Sequence, residues 1–319
     1  MVILENKDTH IFNLPEKIVD IVHEYTNTGK VIITTNSEGL CLLSANFYNT
    51  LDYVCSKFQI SKKSIIIKTC NVEEFHPEYT IKILDNYYID SCKPYLKVKL
   101  LQKNHQLHTV GCFIGKPNWH RLIISAWLYT NFNNKILLTC HYNPQDERHL
   151  IDSELTMLNQ LAFNELSTVI PYMKKCPVYL DEGFLDYTIG PPTHYNLLQK
   201  YTDIFLDLVV ETYVTGKTFF PTEKTLRPII AKTPFIIMGP QGYLSNLRRI
   251  GYKTFSNWWS EDYDNFNGYQ RILEIKKILE NVFTWPHSKL NDTLNEMNNV
   301  LDHNRTVLQY MKGSEVKLS

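Results

Sequence analysis

The stretch Phe220-Pro221-Thr222-Glu223-Lys224-Thr225-Leu226-Arg227-Pro228 holds the residues of this chain best suited to chemistry on an anion. Thr222 has the side chain of a helix N-cap, which puts Glu223 and Lys224 in the first helical turn. A helix start offers unbonded N–H groups and the positive end of its dipole, and so attracts phosphate. Acids are favoured in that turn and a lysine is not, so Lys224 makes sense there if it meets a bound diphosphate. Glu223 has the acceptor oxygens to take hydrogen bonds from a ribose diol. The same residues also fit a plain capped surface helix with both charges in water, and spacing alone leaves that alternative open.

Three further clusters follow strand-like runs. Gly115-Lys116-Pro117-Asn118-Trp119-His120-Arg121 closes a strand and opens a helix, the place where open α/β sheets bind ligands. Arg121 there suits a bidentate contact to phosphate; a tight turn with a solvated arginine is the alternative. In Met238-Gly239-Pro240-Gln241-Gly242-Tyr243, Gly239 and Gly242 allow a close approach of backbone to ligand, or simply a tight connection. Asp262 and Asp264 make a D-x-D, a pattern that binds divalent metal in one class of sugar transferase, but its place late in the chain argues against a metal. A general base belongs on the other side of a cleft. Glu38 stands in a turn beyond the apolar strand Lys30–Thr35 and is the first candidate, with Glu74, His76 and His141 in reserve.

The elements that must position these residues read as α/β layering, with short apolar runs alternating with longer amphipathic ones. Strands are expected at 30–35, 64–69, 109–114, 135–141, 235–238 and 252–255. Helices are expected up to about Ser56, over 119–130, around 152–169, from Thr222 to Ala231 and from Tyr243 to Ile250. The run Ile204–Glu211 fits a strand better than a helix, although Asp207 and Glu211 recur at helical spacing. The tail from Tyr269 to about Met311 reads as two helices broken near Pro286. A fresh βαβ unit begins after His108, so the boundary between lobes falls near residue 106: an acceptor-side lobe over 1–105, a ligand lobe over 106–268 and C-terminal helices over 269–319.

Composition narrows the class. The 319 residues suit two domains. The 33 basic residues balance 33 acidic ones, so no global charge calls for nucleic acid or an anionic membrane. Seven scattered cysteines without a C-x-x-C fit buried thiols in a reducing cytosol rather than a disulfide framework or a zinc ribbon. No secretory leader or membrane-spanning run is expected, and no metal or other cofactor.

The stretch from Thr222 to Arg271 resembles the donor-binding half of GT-B glycosyltransferases related to the α-1,3-fucosyltransferase type. It is most similar to a group common in phages and large viruses, which shows a T-E-K helix, a K-P-F-I strand, a G-P-x-G-x-L turn, an L-R-x-x-G-Y-K-T-F segment and a late E-x-Y-D. Gly115 to Arg121 resembles that group's G-x-x-N-x-x-R turn, and Glu38-Gly39 its E-G turn. The resemblance implies two Rossmann-like lobes facing a cleft, and transfer of a sugar from a nucleoside diphosphate to an acceptor hydroxyl, with inversion, in the host cytoplasm. It implies that Glu223 and Lys224 hold ribose and diphosphate and that Arg121 neutralises the departing diphosphate. Gly115, Asn118, Thr222, Arg227, Gly239 and Gly242 complete the expected donor site. The acceptor stays open among a modified viral DNA base, a glycan and a protein. A nucleotide-sugar epimerase of the same fold and a nonenzymatic nucleotide-binding module are the rival readings.

Overall fold

Two four-stranded parallel sheets organise the chain in the computed structural model, which describes residues 1–5, 14–36, 38–99, 102–143, 152–180 and 197–316. The first sheet takes β1 (Val2–Glu5), β2 (Val31–Asn36), β3 (Ile65–Thr69) and β4 (Thr80–Ile83) in sequence order. Strand order that advances in one direction sends right-handed crossovers over one face. Accordingly α1 (Ile18–Thr28) and α2 (Phe47–Lys57) share one core with that face: Ile21, Phe47, Leu51 and Val54 pack with Val31, Ile33, Ile65 and Ile67.

The second sheet has the order β6-β5-β7-β8, from β5 (His108–Ile114), β6 (Ile136–Cys140), β7 (Ile204–Val210) and β8 (Phe235–Met238). Every residue of β7 and β8 is buried, the continuous apolar run that a sheet covered on both faces requires. That burial settles Ile204–Glu211 as a strand over its first seven residues. Because β6 lies on one side of β5 and β7 on the other, the order reverses at β5. The carboxyl ends of β5 and β7 form the switch point where ligands bind in open α/β sheets.

The helices follow in turn: α3 (Tyr87–Cys92), α4 (Trp119–Phe132), α5 (Asp152–Leu161), α6 (Leu166–Met173), α7 (Glu223–Ile230) and α8 (Tyr243–Arg249). Ile89 and Cys92 of α3 pack into the larger core, that of the second sheet. The tail forms three helices rather than two: α9 (Gly268–Val282), α10 (His287–Glu296) and α11 (Asn298–Tyr310). Pro286 is the N-cap of α10, and a second break at Met297 separates α10 from α11. The turn after α11 meets α3, where Asn86 N–H donates to Gly313 O (3.1 Å) and Gly313 N–H to Asp90 (3.1 Å). Part of the stretch Pro171–Pro192, expected to continue the second lobe, lies outside the described residues.

The strand expected at Tyr252–Phe255 is absent, for a local reason. Asn304 of α11 donates from Nδ2 to Lys253 O (2.9 Å) and accepts from Lys253 N–H (2.8 Å), so one side-chain amide satisfies backbone groups that a neighbouring strand would bind. Asp264 is likewise committed. Its carboxylate accepts from Leu244 N–H and Ser245 N–H (3.0 Å each) at the start of α8, and pairs with fully buried Arg271 of α9 at 3.0 Å. Removing one partner of a buried pair strands the other charge. Asp264→Ala is therefore expected to lose about 3–5 kcal/mol in urea unfolding, and a loss under 1 kcal/mol would show that α8 and Arg271 do not depend on it.

Candidate functional site

At the switch point the turns after β5 and β7 are tied together by side chains from the start of α4. Asn118 caps α4 by accepting from Arg121 N–H (3.2 Å) and donates to Thr212 O (3.3 Å). Arg121, 5% exposed, donates from Nη1 to Lys116 O (2.8 Å) and from Nη2 to Val210 O (3.1 Å). His120 Nε2 lies 3.1 Å from Glu211 O. The Arg121 guanidinium thus holds the two turns as a clamp, and its Nε has no hydrogen-bond partner among the described residues. The start of α4 already has an anion of its own, since Glu154 of α5 accepts from Trp119 N–H at 2.7 Å.

Glu211, just beyond β7, is the centre of the site and was not singled out from the sequence. Only 3% exposed, it accepts from Thr222 N–H (3.4 Å), Thr222 Oγ1 (2.8 Å), Thr225 Oγ1 (2.6 Å) and Tyr243 OH (3.0 Å). Its carboxylate fixes the hydroxyl of Thr222 as a donor, which leaves a lone pair of that oxygen to cap Lys224 N–H (3.2 Å). A signal for it existed: a carboxylate immediately after a wholly buried strand whose one polar residue is Asp207, at the sheet's carboxyl edge.

The first turn of α7 then gathers the charges. Lys224 Nζ lies 2.9 Å from Glu223 Oε1, 3.3 Å from Thr222 Oγ1 and 3.9 Å from Glu38 Oε2. Burial works against the charge of Lys224, but Glu223, Glu38 and Glu211 outweigh it and raise its pKa. Glu223 is 4% exposed; burial pushes its carboxyl up, yet Lys224 and Arg227 carry it down to about 2. Glu223 Oε2 and Arg227 Nε are buried without a hydrogen-bond partner among the described residues.

Glu38 reaches this cluster from the first sheet. Tyr88 OH donates to its Oε1 (2.8 Å), and Thr212 Oγ1 donates to its Oε2. Burial raises its pKa and Glu223 adds to that, but Lys224 and the two hydroxyls prevail and the net shift is downward. Gly39 makes the approach feasible. Its φ is +78°, and a Cβ there would stand 2.5 Å from Phe220 Cβ, so only glycine fits. Around it the connection from Glu211 to Thr222 forms a strap across both sheets. Thr218 Oγ1 donates to Gly39 O, Asn71 donates to Lys217 O (3.0 Å) and accepts from Phe219 N–H (3.0 Å), and Asn86 donates to Pro221 O (2.9 Å).

The structure thus brings together Glu38, Asn118, Arg121, Thr222, Glu223, Lys224 and Arg227. Gly242 takes a left-handed φ of +77° before α8, Gly239 admits the ring of Tyr243, and Gly115 borders open space. Among the reserves, Glu74 accepts from Leu42 N–H (3.0 Å), Tyr48 OH (2.9 Å) and Asn71 (3.0 Å), and burial raises its pKa. His76 stacks on Tyr48 and His141 lies beside Tyr179. Asp262 accepts from Ser260 Oγ (2.8 Å), and Asp264 is spent on α8 and Arg271, so the D-x-D serves local structure. Between the sheets a narrow recess is lined by Glu38, Glu211, Thr212, Phe220, Pro240 and Tyr243, among others.

No protein-family model, curated protein or solved structure matches this chain. Among the described residues, no helix is long and apolar enough to cross a membrane.

The depressed pKa of Glu223 makes a stability prediction. Its ionised form contributes fully above pH of about 4.5, the unfolded value, and that contribution is lost as pH falls toward about 2. In urea titrations across this window, the unmodified protein should lose more stability than Glu223→Gln, by about 3 kcal/mol at most. Parallel curves would show that Glu223 is not held by Lys224 and Arg227.

Proposed function

We propose that the chain is a two-lobed glycosyltransferase of the GT-B type, moving a sugar from a nucleoside diphosphate to an acceptor hydroxyl. The observation that carries this reading is a set of buried polar atoms around α4 and α7 that have no hydrogen-bond partner among the described residues: Glu223 Oε2, Arg227 Nε and Arg121 Nε. An unpaired buried polar group costs about 1–3 kcal/mol, and a ligand rich in hydroxyls and phosphate oxygens supplies the partners. The resemblance of Thr222–Arg271 to donor-binding halves points the same way.

In this reading Glu223 accepts from a ribose diol, and Lys224 and Arg227 face the diphosphate. Lys224 is engaged by Glu223 and Glu38, so a phosphate oxygen has to displace one of them. Displacement of Glu38 removes the strongest influence that lowers its pKa and shifts the balance toward burial and Glu223, against the hydroxyls of Thr212 and Tyr88. A base that strengthens when the donor arrives is suited to take the acceptor proton. Arg121, with both Nη groups on backbone carbonyls, adds positive charge behind the turn and keeps it in place. These cations supply the charge for the departing diphosphate, so transfer is expected to proceed in chelator.

The recess lined by Glu38, Glu211 and Tyr243 has room for about one water. A sugar enters it only if these walls part. The described lining includes Glu38 and Glu211 and no cation, which favours an uncharged acceptor over one crowded with phosphates. A second reading, a nucleotide-binding module without turnover, draws on one observation: both Glu38 oxygens already accept hydrogen bonds.

A thermal-shift panel of UDP-, GDP-, CMP- and dTDP-sugars tests the reading, since a donor at 100 times its Kd stabilises by about 2.7 kcal/mol. No shift with any of them would end it. With the donor found, Lys224→Ala should weaken its binding by about 1.5–3 kcal/mol in calorimetry. Glu38→Gln should bind donor normally and lose sugar transfer by about 10²-fold or more. Donor binding with neither transfer nor donor hydrolysis in the unmodified protein would favour the binding module.

A further inference from the structure

An exposed aromatic ring continues the buried wall of the recess. Tyr87, the first residue of α3, is 55% exposed. Its ring lies 4.3 Å from that of Tyr88 and 6.0 Å from that of Phe220, while Tyr88 and Phe220 meet edge to face at 5.8 Å. The two inner rings belong to the site. Phe220 lines the recess together with Glu38, and Tyr88 OH donates to Glu38 Oε1 at 2.8 Å. The stack therefore runs outward from the recess and ends on a ring in water.

The backbone under Tyr87 is well anchored. Asn86 caps α3 by accepting from Tyr88 N–H (3.1 Å). It also donates from Nδ2 to Pro221 O (2.9 Å) and from its own N–H to Gly313 O (3.1 Å). These bonds tie the start of α3 to the strap on one side and to the C-terminal turn on the other. Ile89, two residues further on, is fully buried. A tyrosine on such a base presents a large face at low entropic cost, because only two side-chain torsions have to settle.

We propose that Tyr87 is a binding platform for a neutral sugar, and that the acceptor is a glycan which lays the C–H face of a pyranose on this ring. The face of an aromatic ring is negative and attracts weakly positive C–H hydrogens. A pyranose has such a face, with its hydroxyls set around the edge. The room in the recess, about that of one water, admits a single hydroxyl group. The sugar ring thus stays outside on Tyr87 while one hydroxyl points inward to Glu38. Charge decides between occupants. A nucleic-acid strand could also stack a base here, but its phosphates need cations beside the platform. The described lining of the recess offers the carboxylates of Glu38 and Glu211 and no cation. The role of the hydroxyl rests on the sugar-transfer reading, whereas the binding of the sugar does not.

The test measures binding to the full-length protein, without nucleotide sugar, by saturation-transfer NMR and calorimetry. The probes are a panel of neutral disaccharides, among them lactose, maltose and N-acetyllactosamine, and a decathymidylate strand. At least one disaccharide should bind, with saturation strongest on the C–H protons of one pyranose face. Tyr87→Ala should weaken that binding about tenfold, the worth of one stacked ring. Tyr87→Trp keeps an aromatic face and should retain the affinity to within about threefold. Melting temperatures of both variants should match that of the unmodified protein, which separates a lost contact from a lost fold. Disaccharide binding at Tyr87 in a protein that binds no nucleotide sugar would leave the platform standing and remove the transferase. No disaccharide bound, equal affinity in Tyr87→Ala, or tighter binding of the decathymidylate that depends on Tyr87 would overturn the platform.

Discussion

The carboxylate of Glu211 is the constraint on which the rest of the site depends. It is a buried anion that forms no ion pair among the described residues, and a lone charge in that position is tolerable only if its hydrogen-bonding capacity is filled. Thr222, Thr225 and Tyr243 fill it. Those donors come from α7, its cap and α8, while the backbone of Glu211 bonds to Met238 beyond it and lies against His120 of α4. One side chain thereby fixes the angle at which two helices and a strand meet. Such networks are cooperative, so a change in any of the three hydroxyls is felt by the other two.

Around that anchor the charges are arranged to cancel. Arg121, Lys224 and Arg227 lie among Glu38 and Glu223, and neighbours of opposite sign favour the charged forms of Glu38, Glu223 and Lys224. The charges are balanced as they stand, so an anion would bind there only by exchange. A phosphate entering a purely cationic cleft gains the whole attraction. Entering this one, it gains the difference between its own contacts and those of the carboxylate it replaces. Affinity is traded for dependence of the first sheet's Glu38 on what occupies the second.

Elements whose causes are local were readable from the chain. The cap at Thr222, the turn at Gly242 and the apolar strand β8 fall where their residue types place them. β1 and β4, the short strands at the two edges of the first sheet, went unread. At Tyr252–Phe255 the composition of a strand is present, but an asparagine some fifty residues on does the work of a neighbouring strand. Asp264 misleads for a similar reason, because a carboxylate that caps a distant helix looks the same in sequence as one that awaits a cation. Of the site itself, the residues around Thr222 were legible as a turn with charges. Their partnership with Glu38 was not, since it crosses from one sheet to the other.

That crossing has a consequence for how the protein is made. The partners in the strap lie 135 to 179 residues apart in sequence. A ribosome adding about 5–20 residues per second needs roughly 7–36 s to cover that distance. For that interval Glu38, Gly39 and Asn71 have left or are leaving the ribosome without the groups that later satisfy them. The first sheet must hold itself together on α1, α2 and its own ladder alone, and its edge beside the future seam is a natural place for a chaperone to bind until the strap arrives.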